Sequence, residues 1–142
     1  MIKNLRDAKI QLTKFSLSDL PLLRRWLVSD HVETWYPNSQ ADLEWAAAPP
    51  ANAGQRLIKF EDVVVGYIRW NIVTGEDLTA IGLHDVPHGS ADVDIIVGER
   101  KYTSRGIGPA ALNLLVDMFK ARNDIPLVGL TTSVENYPVY TL

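Results

Sequence analysis

The stretch from Ala91 to Thr132 constrains this chain more than any other. It opens with Ala91-Asp92-Val93-Asp94-Ile95-Ile96-Val97-Gly98, passes through the loop Thr103-Ser104-Arg105-Gly106-Ile107-Gly108, and closes on the apolar run Pro126-Leu127-Val128-Gly129-Leu130-Thr131-Thr132. The first run alternates and then turns continuously apolar, the pattern of a central strand covered on both faces. Between the runs, Gly106 to Arg122 carries Ile107, Ala111, Leu114, Leu115, Met118 and Phe119 on one helical stripe, with Lys120 and Arg122 near its negative end. Strand, helix, strand in this order predicts a right-handed crossover, hence a parallel pair in a mixed sheet and an α/β or α+β class.

The rest of the chain supplies further strands and helices. Ile10 to Phe15 alternates apolar and polar, a strand with one buried face. Ser16 to Asp19 offers capping side chains ahead of Leu20, Leu22, Leu23, Trp26 and Leu27, a helix whose Pro21 is tolerable only in the first turn. A short helix spans Gln40 to Ala47, and Ala48 to Gly54 is a breaker cluster. Arg56 to Glu61 and Val63 to Ile72 read as a tight hairpin turning at Glu61-Asp62. Thr74 to Ser90 is a long, polar, irregular connection of the kind that often carries function.

Length and composition predict one domain, spanning residues 1 to 142. At 142 residues, 46% hydrophobic and 22% charged, the chain suits a single soluble core without a membrane span. A formal charge of -3 argues against nucleic acid and fits small cationic partners better. No secretory signal follows Met1, so the cytoplasm is the expected compartment. With no cysteine, a thiolate nucleophile is excluded. His31, His84 and His88 have no metal-ligand spacing, so no metal is expected.

Glycines at 106 and 108 allow successive amides to point into one anion at a helix start, with Arg105 adding a charged contact. The bare pattern equally fits a turn whose glycines supply positive φ. Its surroundings decide for the anion. Thr103 to Gly108 resembles the acetyl coenzyme A signature of the GNAT superfamily, Gln/Arg-x-x-Gly-x-Gly/Ala, with Thr103 departing from the first position. Asp94 to Gly98 stands at the spacing from Gly108 used by the aminoglycoside 6'-N-acetyltransferase branch for its Asp-bearing strand. His31-Val32-Glu33-Thr34-Trp35-Tyr36 is similar to that branch's His-Val-x-x-Trp-Trp segment, and Gly66-Tyr67-Ile68 to its Gly-Tyr strand.

That resemblance implies a GNAT-like, mainly antiparallel mixed sheet flanked by helices, and an acetyl transfer from acetyl coenzyme A to a primary amine, expected on an aminoglycoside. Loop residues Thr103, Ser104, Arg105, Gly106, Ile107 and Gly108 would hold the diphosphate. The backbone of Ile95, Ile96 and Val97 would align the thioester, with Asn136 touching the cofactor. Asp94 would take the proton or anchor the amine. For Asp94 a solvated carboxylate at a strand end is the competing reading; Asp92, on the same face, shares the role or is surface. Trp35 and Tyr36 either wall the acceptor cleft or staple a loop, and Asp85 lies where that branch carries acid groups. Other acceptors, a protein amino terminus or a metabolite amine, and a coenzyme-binding domain without turnover stay open.

The family pattern continues beyond Val134-Glu135-Asn136 with a helix and two strands, whereas here Tyr137 to Leu142 ends the chain. An uncovered strand edge is therefore expected, to be closed by a second subunit in a homodimer or left by truncation or a shifted frame. Tyr140 is four residues past Asn136, too close for the family's thiolate-protonating tyrosine.

Overall fold

The computed structural model describes residues 9–74, 76, 86–130 and 139–141. Its sheet has six strands in the order β1-β2-β3-β4-β5-β6. They are β1 (Ile10–Lys14), β2 (Ala53–Phe60), β3 (Val63–Ile72), β4 (Ala91–Val97), β5 (Leu127–Leu130) and β6 (Val139–Thr141). Among the described residues the α-helices that accompany them include α1 (Leu20–Leu27), α2 (Asp30–Glu33), α3 (Ser39–Ala47) and α4 (Ile107–Arg122). All neighbouring strands are antiparallel except β4 and β5, which are parallel, as the α4 crossover requires.

Local sequence explains most boundaries. Ser16 and Asp19 form a capping box, the Ser16 amide donating to Asp19 Oδ2 at 2.9 Å, and Pro21 falls in the first turn of α1. Asn38 caps α3 by accepting the Ala41 amide at 3.2 Å. The β2–β3 hairpin closes on the pair Phe60 and Val63, and Glu61 takes the left-handed conformation with φ 53°. Asn123 does the same past the end of α4, with φ 62°, where its amide bonds to the Phe119 carbonyl.

Strand alternation divides the core in two. Ile58, Ile68 and Val93 face α4, meeting Ile107, Ala111, Leu115 and Phe119. Leu57, Tyr67 and Ile96 face the other way, onto Leu23, Trp26 and Leu27 of α1 and Ala46 of α3. Gly98 ends β4 beneath the Trp26 indole so closely that a Cβ there would lie 2.1 Å from the ring. The functional strand is thus pinned at its end by α1.

One expectation is corrected. The edge of β5 is not bare, because residues 139–141 pair antiparallel with it in the register Leu127 to Thr141, Val128 to Tyr140 and Gly129 to Val139. Three extended residues suffice to bond the β5 ladder.

Candidate functional site

Among the described residues, β4 pairs with β5 from Ala91 to Val93 and with β3 along its whole length, from Ala91 to Val97. The Gly98 amide donates to the Val65 carbonyl of β3 at 2.8 Å. Antiparallel alternation then turns the peptide groups of Ile96 and Asp94 toward β3 and those of Ile95 and Val97 to the opposite edge of β4. Two side chains already reach this edge. The Tyr36 hydroxyl donates to the Ile95 carbonyl at 3.2 Å, and His31 Nε2 donates to the Val97 carbonyl at 3.1 Å. The outward amides of Ile95 and Val97 have no such partner among the described residues.

The start of α4 lies beside that edge. Gly106 caps the helix in the left-handed conformation, φ 80°, preceded by Ser104 at φ 59°. The first helical bond runs from the Ala110 amide to the Gly106 carbonyl at 3.2 Å, and no side chain caps the amides of Ile107 and Gly108. Pro109 has no N–H to satisfy. A Cβ added at Gly108 would meet only Ile95 Cγ2, at 3.9 Å. The protein's own packing therefore does not demand this glycine, and it leaves a cradle of uncapped amides against β4. That is the chemistry a diphosphate needs, so the residues present fit coenzyme A. Thr103 turns its hydroxyl onto the Arg100 carbonyl at 2.7 Å, and Arg105 lies over the Tyr102 and Phe60 rings, 5.4 and 5.9 Å from their centroids.

On the opposite face Asp94 is mostly buried in a polar cluster. Arg69, its register partner on β3, donates through Nε to Asp94 Oδ2 at 3.1 Å and through a terminal nitrogen to Asp42 Oδ1 of α3 at 2.9 Å. The guanidinium also stacks over Trp45, 5.1 Å from the ring centroid. Burial pushes the Asp94 carboxyl above the usual carboxylate range, while the Arg69 charge and hydrogen bond pull it back only in part. Burial likewise raises the Tyr36 hydroxyl, keeping it a neutral donor.

The predicted residues are thus partly brought together. The strand that carries Asp94, Ile95, Ile96 and Val97 adjoins the helix start, with Ile95 nearest Gly108, and Asp92 shares the Asp94 face. Trp35 and Tyr36 separate: Tyr36 packs into the core under β4 whereas Trp35 is 57% exposed. Asp85 and Asn136 lie outside the described residues. Arg69, Asp42, Trp45 and the bonding role of His31 were not read from the sequence. Arg69 alone carried a signal, as a charged residue inside the apolar run Val63 to Ile72 at the same parity as Tyr67.

Where β4 ends, Glu99 accepts from Trp26 Nε1 at 2.5 Å and from Arg25 at 3.0 Å. The Trp26 bond, with Arg25 assisting, holds the Glu99 carboxyl below its usual range against a smaller opposing effect of burial. A depressed carboxyl stabilises the fold above the ordinary glutamate range and loses that contribution as pH falls through its lowered value. Urea midpoints of the parent and Glu99→Gln should therefore differ at neutral pH and converge as pH falls below the ordinary glutamate range.

Among the described residues no helix is long and apolar enough to cross a membrane, and no three His, Cys, Asp or Glu side chains gather as a metal site. A comparison with curated proteins finds no match. Solved structures do match. An uncharacterized protein of Bacillus halodurans superposes with a TM-score of 0.72 at 16% identity, over 89% of this chain and 67% of that one. The aminoglycoside acetyltransferase AAC(6')-Ib in complex with coenzyme A gives 0.70 at 16% identity, over 89% and 76%. The aminoglycoside N(6')acetyltransferase of Legionella pneumophila gives 0.61 at 15% identity, over 86% and 69%. These share the fold, and this chain spans about two-thirds to three-quarters of their length. The sequence profile of the Acetyltransferase (GNAT) domain matches residues 16–142, nearly the whole chain. The chain therefore belongs to the GNAT family of acetyltransferases, and its reaction class is that of an N-acetyltransferase.

Proposed function

We infer that this protein transfers the acetyl group of acetyl coenzyme A directly to a primary amine of a small polycationic acceptor, an aminoglycoside or a similar polyamine. The observation that carries this reading is the glycine-marked start of α4 lying against β4 at Ile95, next to Asp94 on the same strand. The diphosphate would sit on the amides of Ile107 and Gly108, with the loop Thr103 to Gly106 around it. The Ile95 and Val97 amides would receive the pantetheine arm and thioester, donors aimed at where oxyanion charge develops. Direct attack follows because no cysteine exists to carry the acetyl group. As the amine nitrogen bonds the carbonyl carbon and the sulfur departs, the ammonium proton must leave, and a raised Asp94 is better matched to receive it, directly or through water, than an ordinary aspartate.

The acceptor class is supported by the carboxylates gathered on this strand and helix. Asp42 and Asp94 share Arg69, and Asp92 lies on the Asp94 face of β4. Solved relatives of this fold include AAC(6')-Ib in complex with kanamycin and a spermidine N-acetyltransferase chimera. The reading is tested by calorimetry with acetyl coenzyme A together with release of free coenzyme in the presence of kanamycin, spermidine or an amino-terminal peptide. Release with the first two and not with the peptide supports it; binding without release across the panel indicates a coenzyme-binding domain lacking turnover.

The helix start can be tested separately. Gly108→Ala adds a methyl group that only touches Ile95, so stability should hold or rise slightly. The same methyl would occupy the space between the helix start and Ile95 of β4, and acetyl coenzyme A affinity measured by calorimetry should fall by at least about fivefold, the equivalent of ~1 kcal/mol.

A further inference from the structure

Arg69 is the cation at the centre of the site, and nothing in the acetyl-transfer reading requires a cation there. It sits on a central strand with its side chain only 14% exposed, clamped between Asp42 of α3 and Asp94 of β4 and backed by Trp45. Both partner carboxylates are themselves mostly buried, at 18% and 22% exposure. The contact to Asp94 uses Oδ2 alone, and among the described residues no hydrogen bond ends on Oδ1. A planar guanidinium that holds one oxygen from the side leaves the second with a set direction.

We propose that Arg69 is a positioning residue: it fixes the Asp94 carboxylate on the sheet with one oxygen held and the other presented to the acceptor amine, and through Asp42 it ties that geometry to the placement of α3. The proposal rests on Asp94 meeting the acceptor. It adds that Asp94 cannot do so alone. Among the described residues the groups set against Asp94 are Arg69 from β3, Asp42 from α3, Asp92 from its own strand and the neutral Tyr36 hydroxyl, and Arg69 is the cation that bonds both Asp94 and Asp42. Without it, Asp94 takes up a proton at higher pH and loses its fixed orientation.

The test uses the full chain, with carboxyl 13C resonances of Asp94 titrated in the parent, Arg69→Gln, Arg69→Lys, Asp42→Asn and the double variant Arg69→Gln/Asp42→Asn. The double variant matters because Arg69→Gln leaves facing carboxylates that can unfold the chain, and removing Asp42 relieves this. Calorimetric binding of acetyl coenzyme A confirms that each variant folds. Asp94 should titrate at higher pH in both variants carrying Arg69→Gln and return part of the way in Arg69→Lys, which keeps the charge without the fork. With kanamycin as acceptor, kcat/KM at neutral pH should drop by on the order of 10², with its acidic limb displaced in the same direction. An unmoved Asp94 titration in the folded double variant would overturn the proposal. A displaced titration with an unmoved acidic limb would keep Arg69 as the clamp on Asp94 and instead remove Asp94 from acceptor chemistry.

Discussion

Replacing Asp94 by asparagine should lower acceptor turnover by roughly 10² to 10⁴ while leaving acetyl coenzyme A affinity nearly unchanged. The separation follows from where the residue lies. Its side chain projects to the α1 and α3 face with Arg69, whereas the start of α4, proposed above to hold the cofactor, lies on the other face of the sheet against Ile95. Asparagine keeps the size and one acceptor for the Arg69 Nε–H, so the fold has little reason to change. It removes the charge that draws an ammonium and the site that takes its proton. Steady-state kinetics against kanamycin, with calorimetry on the same preparations, would read both quantities. An unaltered rate would take Asp94 out of the mechanism and leave the coenzyme cradle standing.

Trp26→Ala should destabilise the protein by about 3–5 kcal/mol. The indole is 1% exposed, fills the core between α1 and the sheet, and its Nε1–H is the closest partner of Glu99. Truncation opens a cavity against Gly98, whose missing side chain exists to admit that ring, and strips the carboxyl of its donor. Urea denaturation would show a lowered midpoint with little change in slope. Because Gly98 and Glu99 terminate β4, residual activity in folded Trp26→Ala protein should fall through weaker cofactor binding, unlike Asp94→Asn. The two substitutions therefore separate support of the strand from chemistry at its side chain.

Much of the framework was legible in the chain. The apolar stripe of α4 announced a helix packed along its whole length, because burying that stripe is the main gain open to it. Alternation in β1 and the continuous run in β4 distinguished a strand with one buried face from one covered on both. The hairpin at Glu61-Asp62 and the capping at Ser16 are local chemistry, decided within a few residues. Boundaries slipped where long-range pairing intervened: β2 begins at Ala53, inside the segment read as a breaker cluster, because β3 offers Asn71 and Trp70 as partners there. The terminal strand was missed for the same reason, since three residues beyond Pro138 carry too little pattern to reveal pairing with β5.

Taken by itself, the sequence determined the order of strands and helices, the glycine-marked helix start and the membership of Asp94 in a strand leading to it, since each depends on neighbours within one or two turns of chain. Only the tertiary structure decided that Arg69 meets Asp94 and Asp42, that Tyr36 and His31 bond the Ile95 and Val97 carbonyls of β4, and that Trp35 is exposed while Tyr36 packs inward. Those contacts join residues dozens of positions apart, and their geometry is set by sheet register and by which face each helix buries, neither of which is written in local spacing.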